Sequence, residues 1–341
     1  MDLRIQLIHD WLRHELGWTP TRLEPASADA SFRRYFRVWD AAGATRIVMD
    51  APPDKEDVAA YLKIARLLAA CDVHVPRIDA ADAARGLVLL EDLGSTHMLA
   101  ALQAGAAPGP LYAVALGALT RIQLRGLEAS RQLPPYDRAT LLREMAECPE
   151  WFCQRHLGFV PGSAEVQLWE AACEFLVRDA LSQPTVFVHR DYHSRNLMQL
   201  ADGDLGILDF QDALAGPIGY DLASLLKDCY IEWPRPRVES WVEEYRRRIG
   251  ALAAGAGAAQ FLRWFDLVGL QRHLKVLGRF ARLWYRDGKA GYLQDLPRVL
   301  GYVRDTAARY AELREFSAWV ERGLVPLLAA ANARVLAEAV R

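Results

Sequence analysis

His189, Asp191 and Asn196 share one polar segment, VHRDYHSRNL, and Asp209 follows in GILDFQDA. Asn occurs only twice in the chain, at 196 and 332, so its placement five residues after an Asp is conspicuous. These residue types in this order suit phosphoryl transfer. An Asp early in such a loop can accept the proton of a substrate hydroxyl. Five residues later the loop has turned back, and an Asn carbonyl oxygen can serve as a neutral ligand to Mg²⁺. An Asp at the end of the next hairpin strand adds an anionic ligand between metal and triphosphate. Mg²⁺ takes a few protein oxygens and fills its shell with phosphate oxygens and water, which this set allows. The bland alternative is an Asx-rich turn with Asp209 capping a helix.

These residues need elements to hold them. Residues 185–212 alternate as strands: TVFVH, NLMQL, an ADGD turn, then LGILDF. Before them, Asp2–Leu16 has apolar residues at helical spacing, and Lys55–Cys71 places Val58, Tyr61, Leu62, Ala65 and Leu68 on one side of a helix. Short β-like pieces lie near 22–25, 32–39 and 46–49, and VPRIDAADAARGLVLLEDLG reads as strand, turn, strand. Residues 1–92 are therefore expected to form a helix-flanked antiparallel sheet of about five strands. Residues 96–341 would be a mainly helical lobe carrying the strand-and-loop insert. The expected class is α+β.

Composition limits the partners. With 41 Lys plus Arg against 43 Asp plus Glu, the net charge of −2 gives no electrostatic case for nucleic acid or an anionic membrane. No apolar run is long enough to span a bilayer. Five cysteines without a CxxC pair read as reduced thiols, and the opening MDLRIQLIHDW lacks the apolar core of a signal peptide. The expected compartment is the cytoplasm. Motifs of P-loop enzymes, zincins, α/β-hydrolases and dinucleotide folds are missing.

The stretch FVHRDYHSRNLM…GILDFQDALAGPIGYDLASLL resembles the aminoglycoside phosphotransferase and choline-kinase-like family, which has a protein-kinase-like two-lobe fold. The resemblance implies ATP and Mg²⁺ as cofactors, Asp191 as catalytic base, Asn196 and Asp209 as metal ligands, His189 as a buttress and Asp221 as a support of the catalytic loop. It places LVLLEDLG at the hinge between the lobes, residues 91–95, where backbone groups near Glu91 and Leu93 would read adenine. It also sets ASADASFRRYFRVW over the phosphates, with Ser31, Arg33 and Arg34 as candidate contacts. One position departs from the pattern: Asp50 stands where the third-strand Lys would align. The cation must then come from Arg33, Arg34, Lys55 or Lys63, and Glu56 and Asp57 have no assigned partner.

Longer segments, among them EMAECPEWFCQRHLG, DCYIEWPRPRV and LKVLGRFARLWYRDGKAGYL, resemble the branch of the family that phosphorylates N-acetylmuramate or N-acetylglucosamine at the anomeric hydroxyl during peptidoglycan recycling. That implies an amino-sugar substrate and a sugar 1-phosphate product for a uridylyltransferase. Glu150, Trp233, Arg279 and Arg282 are candidate sugar contacts, the two Arg facing the lactyl carboxylate. Alternatives are an aminoglycoside, choline or thiamine acceptor, or an inactive kinase-like module that binds nucleotide and a partner. The Arg-rich C-terminal segments argue against a cationic acceptor.

Overall fold

The computed structural model describes residues 2–28 and 32–339. By its contacts the chain divides into two compact units, Met1–Ile122 with Arg195–Asp212, and Gln123–Ser194 with Ala213–Arg341.

The first unit is built on an antiparallel sheet of β1 (Arg22–Ala28), β2 (Arg34–Trp39), β3 (Thr45–Asp50), β4 (Ile78–Asp82) and β5 (Leu87–Glu91), in the order β1-β2-β3-β5-β4. Alternation sets its faces. Phe36, Val38, Val48, Leu87 and Leu89 point inward and pack on Ile8, Trp11 and Leu12 at the N-terminal helical segment. Gly43 takes φ +84° in the β2–β3 turn, a conformation that favours glycine. The helix Val58–Ala69 starts at Asp57, whose side chain accepts the Ala59 N–H at 2.8 Å. Its buried face is Tyr61, Ile64, Ala65 and Leu68.

A short hairpin, Leu197–Gln199 with Leu205–Ile207, belongs to this unit although it lies far along the chain. Bridges His74↔Gly206 and His97↔Met198 tie it there. By contacts, residues 195–212 group with residues 1–122.

In the second unit, Thr185–Val188 pairs antiparallel with Leu214–Pro217. The latter, LAGP, has little β propensity of its own and takes its conformation from its neighbours. Its Ala215 exchanges backbone hydrogen bonds with Pro134 (2.9 Å) and Tyr136 (2.7 Å). The helices pack around one long helix, Ala258–Tyr285, buried along most of its length. At Gly278 a Cβ would lie 2.4 Å from the Glu147 carbonyl carbon and 2.5 Å from the Cys148 nitrogen, so only glycine permits this crossing. Among the described residues, no helix is long and apolar enough to cross a membrane.

Candidate active site

The hairpin of the first unit sets the spacing of Asn196 and Asp209. Asn196 precedes the first strand and Asp209 follows the second, and the Leu208 N–H donates to the Asn196 carbonyl at 2.9 Å. The two side chains meet there, with Asn196 Nδ2 donating to Asp209 Oδ2 at 3.4 Å. Asp209 holds a positive φ of 62°, a costly conformation that the buried Phe210 helps maintain by packing 4.8 Å from the Tyr61 ring.

Two neighbouring arginines divide their tasks. Arg33 is buried, its Nη2 3.3 Å from Asp209 Oδ1 and its Nε 3.9 Å from Glu56 Oε2. Arg34 turns instead to Asp50 and Asp2, donating to Asp50 Oδ2 through Nε at 3.0 Å and Nη2 at 2.6 Å. Asp50 is fully buried and also accepts from Arg4 Nε at 2.8 Å. The acidic residue at the usual lysine position is thus paired with Arg4 and with Arg34, one of the arginines expected over the phosphates. Ser31 lies outside the described residues.

At the expected hinge, Glu91 accepts from the Arg77 N–H at 3.2 Å and lies 3.2 Å from His74 Nε2. Leu93 packs where Gly206 offers no side chain; a Cβ on Gly206 would sit 2.5 Å from Leu93 Cδ1.

In the second unit, the Asp221 carboxylate receives two consecutive backbone N–H groups, from His189 at 2.6 Å and Arg190 at 2.9 Å. Arg190 takes φ +78°, and this clamp holds the turn. Burial pushes the Asp221 carboxyl up to about 7 against those two hydrogen bonds. His189 is buried and its Nδ1 accepts the Asp191 N–H at 3.3 Å. The loop is pinned again beyond Asp191, where Asp228 accepts from Ser194 N (2.9 Å) and Oγ (2.5 Å).

Asp191 is partly exposed. Desolvation pushes its carboxyl up, but the charges of Lys275, His193, Arg272 and Arg190 outweigh it and hold the group well below the usual carboxylate range. The cations are themselves anchored. Lys275 Nζ lies 3.1 Å from Glu144 Oε1 and 3.3 Å from the Tyr220 hydroxyl, and Arg190 pairs with the same Glu144. Arg272 Nη1 donates to Cys229 Sγ at 3.4 Å.

Among the described residues no cluster of three or more His, Cys, Asp or Glu side chains is arranged to hold a metal. A cation at Asn196 and Asp209 would draw on one amide, one carboxylate and phosphate oxygens. That donor set suits Mg²⁺, which seldom uses all-protein cages.

Residues 22–265 match the model of the phosphotransferase enzyme family. The chain belongs to this family. It is 45% identical over 326 residues, 92% of this chain and 95% of the relative, to the N-acetylmuramate/N-acetylglucosamine kinase of Pseudomonas aeruginosa. The Neisseria meningitidis protein of the same name is 45% identical, with 90% of this chain and 92% of the relative covered. A relative so named in Caulobacter vibrioides is 31% identical, with 90% and 93% covered. Among solved structures, the GDP complex of aminoglycoside 2'-phosphotransferase-IIIa aligns with a TM-score of 0.61 at 12% identity, covering 90% of this chain and 99% of that one. Plasmodium vivax ethanolamine kinase aligns at 0.58 and 12% identity, with 82% of each chain covered. Both likenesses establish the protein-kinase-like fold.

For a phosphotransferase of this family, the sequence pattern named Asp191 but not the cations around it. Lys275 was the readable clue: it is one of five lysines and stands amid the apolar residues of LKVLGRF. Arg272 and Glu144 gave no signal, because their partners lie far away in the sequence. Of the candidate sugar contacts, Arg279 and Arg282 share a partner, and Glu150 and Trp233 have partners of their own. Glu150 is exposed and pairs with Arg155 at 3.1 Å, Trp233 packs edge-on to Trp241 at 5.9 Å, and Arg279 and Arg282 both donate to Glu147.

Proposed function

We propose that this protein transfers the γ-phosphoryl group of ATP to the anomeric hydroxyl of N-acetylmuramate or N-acetylglucosamine. The observation that carries the chemistry is the Asp191 carboxylate, held ionised by surrounding cations on a loop clamped by Asp221. The acceptor is suggested by the shared name of relatives 44–45% identical over nearly the whole chain.

In this reading Asp191 accepts the anomeric proton while the hydroxyl oxygen forms a bond to the γ-phosphorus. The bond from that phosphorus to the β–γ bridging oxygen breaks, and ADP leaves. An anomeric hydroxyl is more acidic than an ordinary alcohol, so a carboxylate suffices as proton acceptor. Asn196 and Asp209 would hold Mg²⁺, which supplies charge neutralisation on the phosphates. Arg33 offers a guanidinium to phosphate oxygens, and backbone groups near Glu91 and Leu93 receive the adenine. His189 and Asp221 keep the loop in place. The sugar 1-phosphate is a form that a uridylyltransferase consumes, in the cytoplasm.

The test is phosphorus-31 spectroscopy of purified protein with Mg·ATP and each sugar. A sugar 1-phosphate resonance supports the reading. ADP without a phosphorylated sugar removes the proposed acceptor, and absence of ADP removes the kinase reading.

A further inference from the structure

Four basic residues line one face of the long helix Ala258–Tyr285: Arg272, Lys275, Arg279 and Arg282, spaced three, four and three residues apart. The first two act on Asp191. The other two share a single acceptor. Arg279 Nη2 and Arg282 Nη1 donate to the same Glu147 oxygen, Oε1, at 3.1 and 2.8 Å.

That arrangement is incomplete. Glu147 Oε2, Arg279 Nε and Arg282 Nε are buried atoms with no hydrogen-bond partner among the described residues. Buried polar atoms are normally satisfied, so three such atoms in one cluster require an explanation. Arg279 and Arg282 share one carboxylate as their hydrogen-bond partner, and beyond it Arg286 and Asp287 act on Arg282 with opposite signs. Burial and the neighbouring Arg279 push the Arg282 pKa down, with Arg286 adding to the shift and Glu147 and Asp287 opposing it. A further anion would add counter-charge and accept from the two Nε–H groups, for which a guanidinium pair suits a carboxylate, while Glu147 Oε2, itself an acceptor, calls for a donor such as a sugar hydroxyl or amide N–H.

Position narrows the choice of anion. Helical rise puts Arg279 and Arg282 about 6 and 10 Å along the axis from Lys275, on the same face. An anion there would sit at the far side of a sugar whose anomeric end faces Asp191. Tyr230 supplies a wall along this interval, with its ring 5.3 Å from His193 of the catalytic loop and 6.0 Å from Phe280 of the helix. Glu147 is held close by the crossing at Gly278.

We propose that Arg279 and Arg282 form a carboxylate subsite for the lactyl group of N-acetylmuramate, with Glu147 holding both guanidiniums in position before the sugar arrives. This rests on the kinase reading above and makes the pair the determinant of preference for the acidic over the neutral amino sugar.

The experiment compares kcat/KM for N-acetylmuramate and N-acetylglucosamine in the wild type, Arg279→Gln, Arg282→Gln and Arg282→Lys. The acid-to-neutral ratio falls tenfold or more in each Gln variant, and Arg282→Lys retains part of the preference. A ratio within twofold of wild type, or an equal loss on both sugars, overturns the subsite. A second measurement needs no variant. On the wild type, converting the lactyl carboxylate to its uncharged amide costs tenfold or more in kcat/KM, and equal turnover of acid and amide overturns the proposal. If the wild type turns over neither sugar, the kinase reading fails and takes the subsite with it. Turnover with an unchanged ratio overturns the subsite alone.

Discussion

Arg33 and Arg34 show how far apart two adjacent residues can be in function. Arg34, opposite Asp50 in the β2–β3 register, serves the buried Asp50 carboxylate, while Arg33 faces Asp209 and Glu56. We propose that Arg33 offers the charge expected from a third-strand lysine, with Glu56, 3.9 Å from its Nε, as the acidic partner. Under the proposed function, Arg33→Met raises the KM for Mg·ATP at least tenfold, and Arg33→Lys recovers part of that loss. Steady-state kinetics at saturating sugar decide it; an unchanged KM returns the role to Lys55 or Lys63. Arg34→Met acts on stability instead. Asp50 keeps Arg4 but loses its other partner, so denaturant unfolding loses about 1–3 kcal/mol, less than the ~3–5 kcal/mol of a buried charge left wholly unpaired. No stability loss would mean that Arg4 alone satisfies Asp50.

The long helix shows what an element contributes that its sequence pattern hides. Its crossing over Glu147–Cys148 depends on Gly278, and a methyl there meets backbone atoms that cannot rotate away. Gly278→Ala therefore destabilises by about 1–3 kcal/mol despite its better helix propensity, as overpacking does elsewhere. Equilibrium unfolding measures this, and a stabilised variant would show that the crossing can relax. The same helix carries buried His273, which stacks on Tyr302 at 4.8 Å with its Nε2 2.9 Å from the Lys227 carbonyl. Burial, with Arg272 and Lys227 alongside, pushes this imidazole well below its ordinary 6.5. Below pH 6.5 the unfolded chain takes up a proton that the folded chain refuses, so acidification costs stability. The wild-type-minus-His273→Gln difference in unfolding free energy should fall by up to about 1.4 kcal/mol per pH unit below 6.5 and stay flat above it. A parallel pair of pH profiles would show that His273 protonates in the fold. Much of the architecture was legible: β1 to β5 and the helix after Asp57 follow period-two and helical patterns. The Asn196–Asp209 pairing follows from hairpin length. What escaped was long-range. Leu214–Pro217 becomes a strand only through its partner, and Glu144 meets Lys275 and Arg190 only after folding.

At the scale of the whole chain, the proposed ligands draw on different compact units. Arg33, Glu91, Leu93, Asn196 and Asp209 belong to the first, whereas Asp191, Asp221, Glu147, Arg279 and Arg282 belong to the second. The chain passes from one to the other between Ser194 and Arg195, within the segment that carries the proposed base and metal ligands. A ligand that binds only the closed form of a unit slows the openings that expose its amides. At a hundred times its Kd it adds about 2.7 kcal/mol, or roughly 100-fold in protection of amides whose opening releases it. Mg·ATP alone should therefore slow hydrogen exchange in residues 32–50, 87–94 and 196–210. N-acetylmuramate alone should slow it in 144–156 and 272–283. Asp191→Asn should leave the Mg·ATP pattern intact while abolishing turnover, because the base is needed for proton transfer and not for holding nucleotide. Asp209→Asn should erase that pattern. Exchange followed by mass spectrometry reads all four cases. Nucleotide protection confined to the second unit would remove the assignments of Arg33, Asn196 and Asp209 together, whereas sugar protection confined to the first would remove the carboxylate subsite and leave the nucleotide site standing.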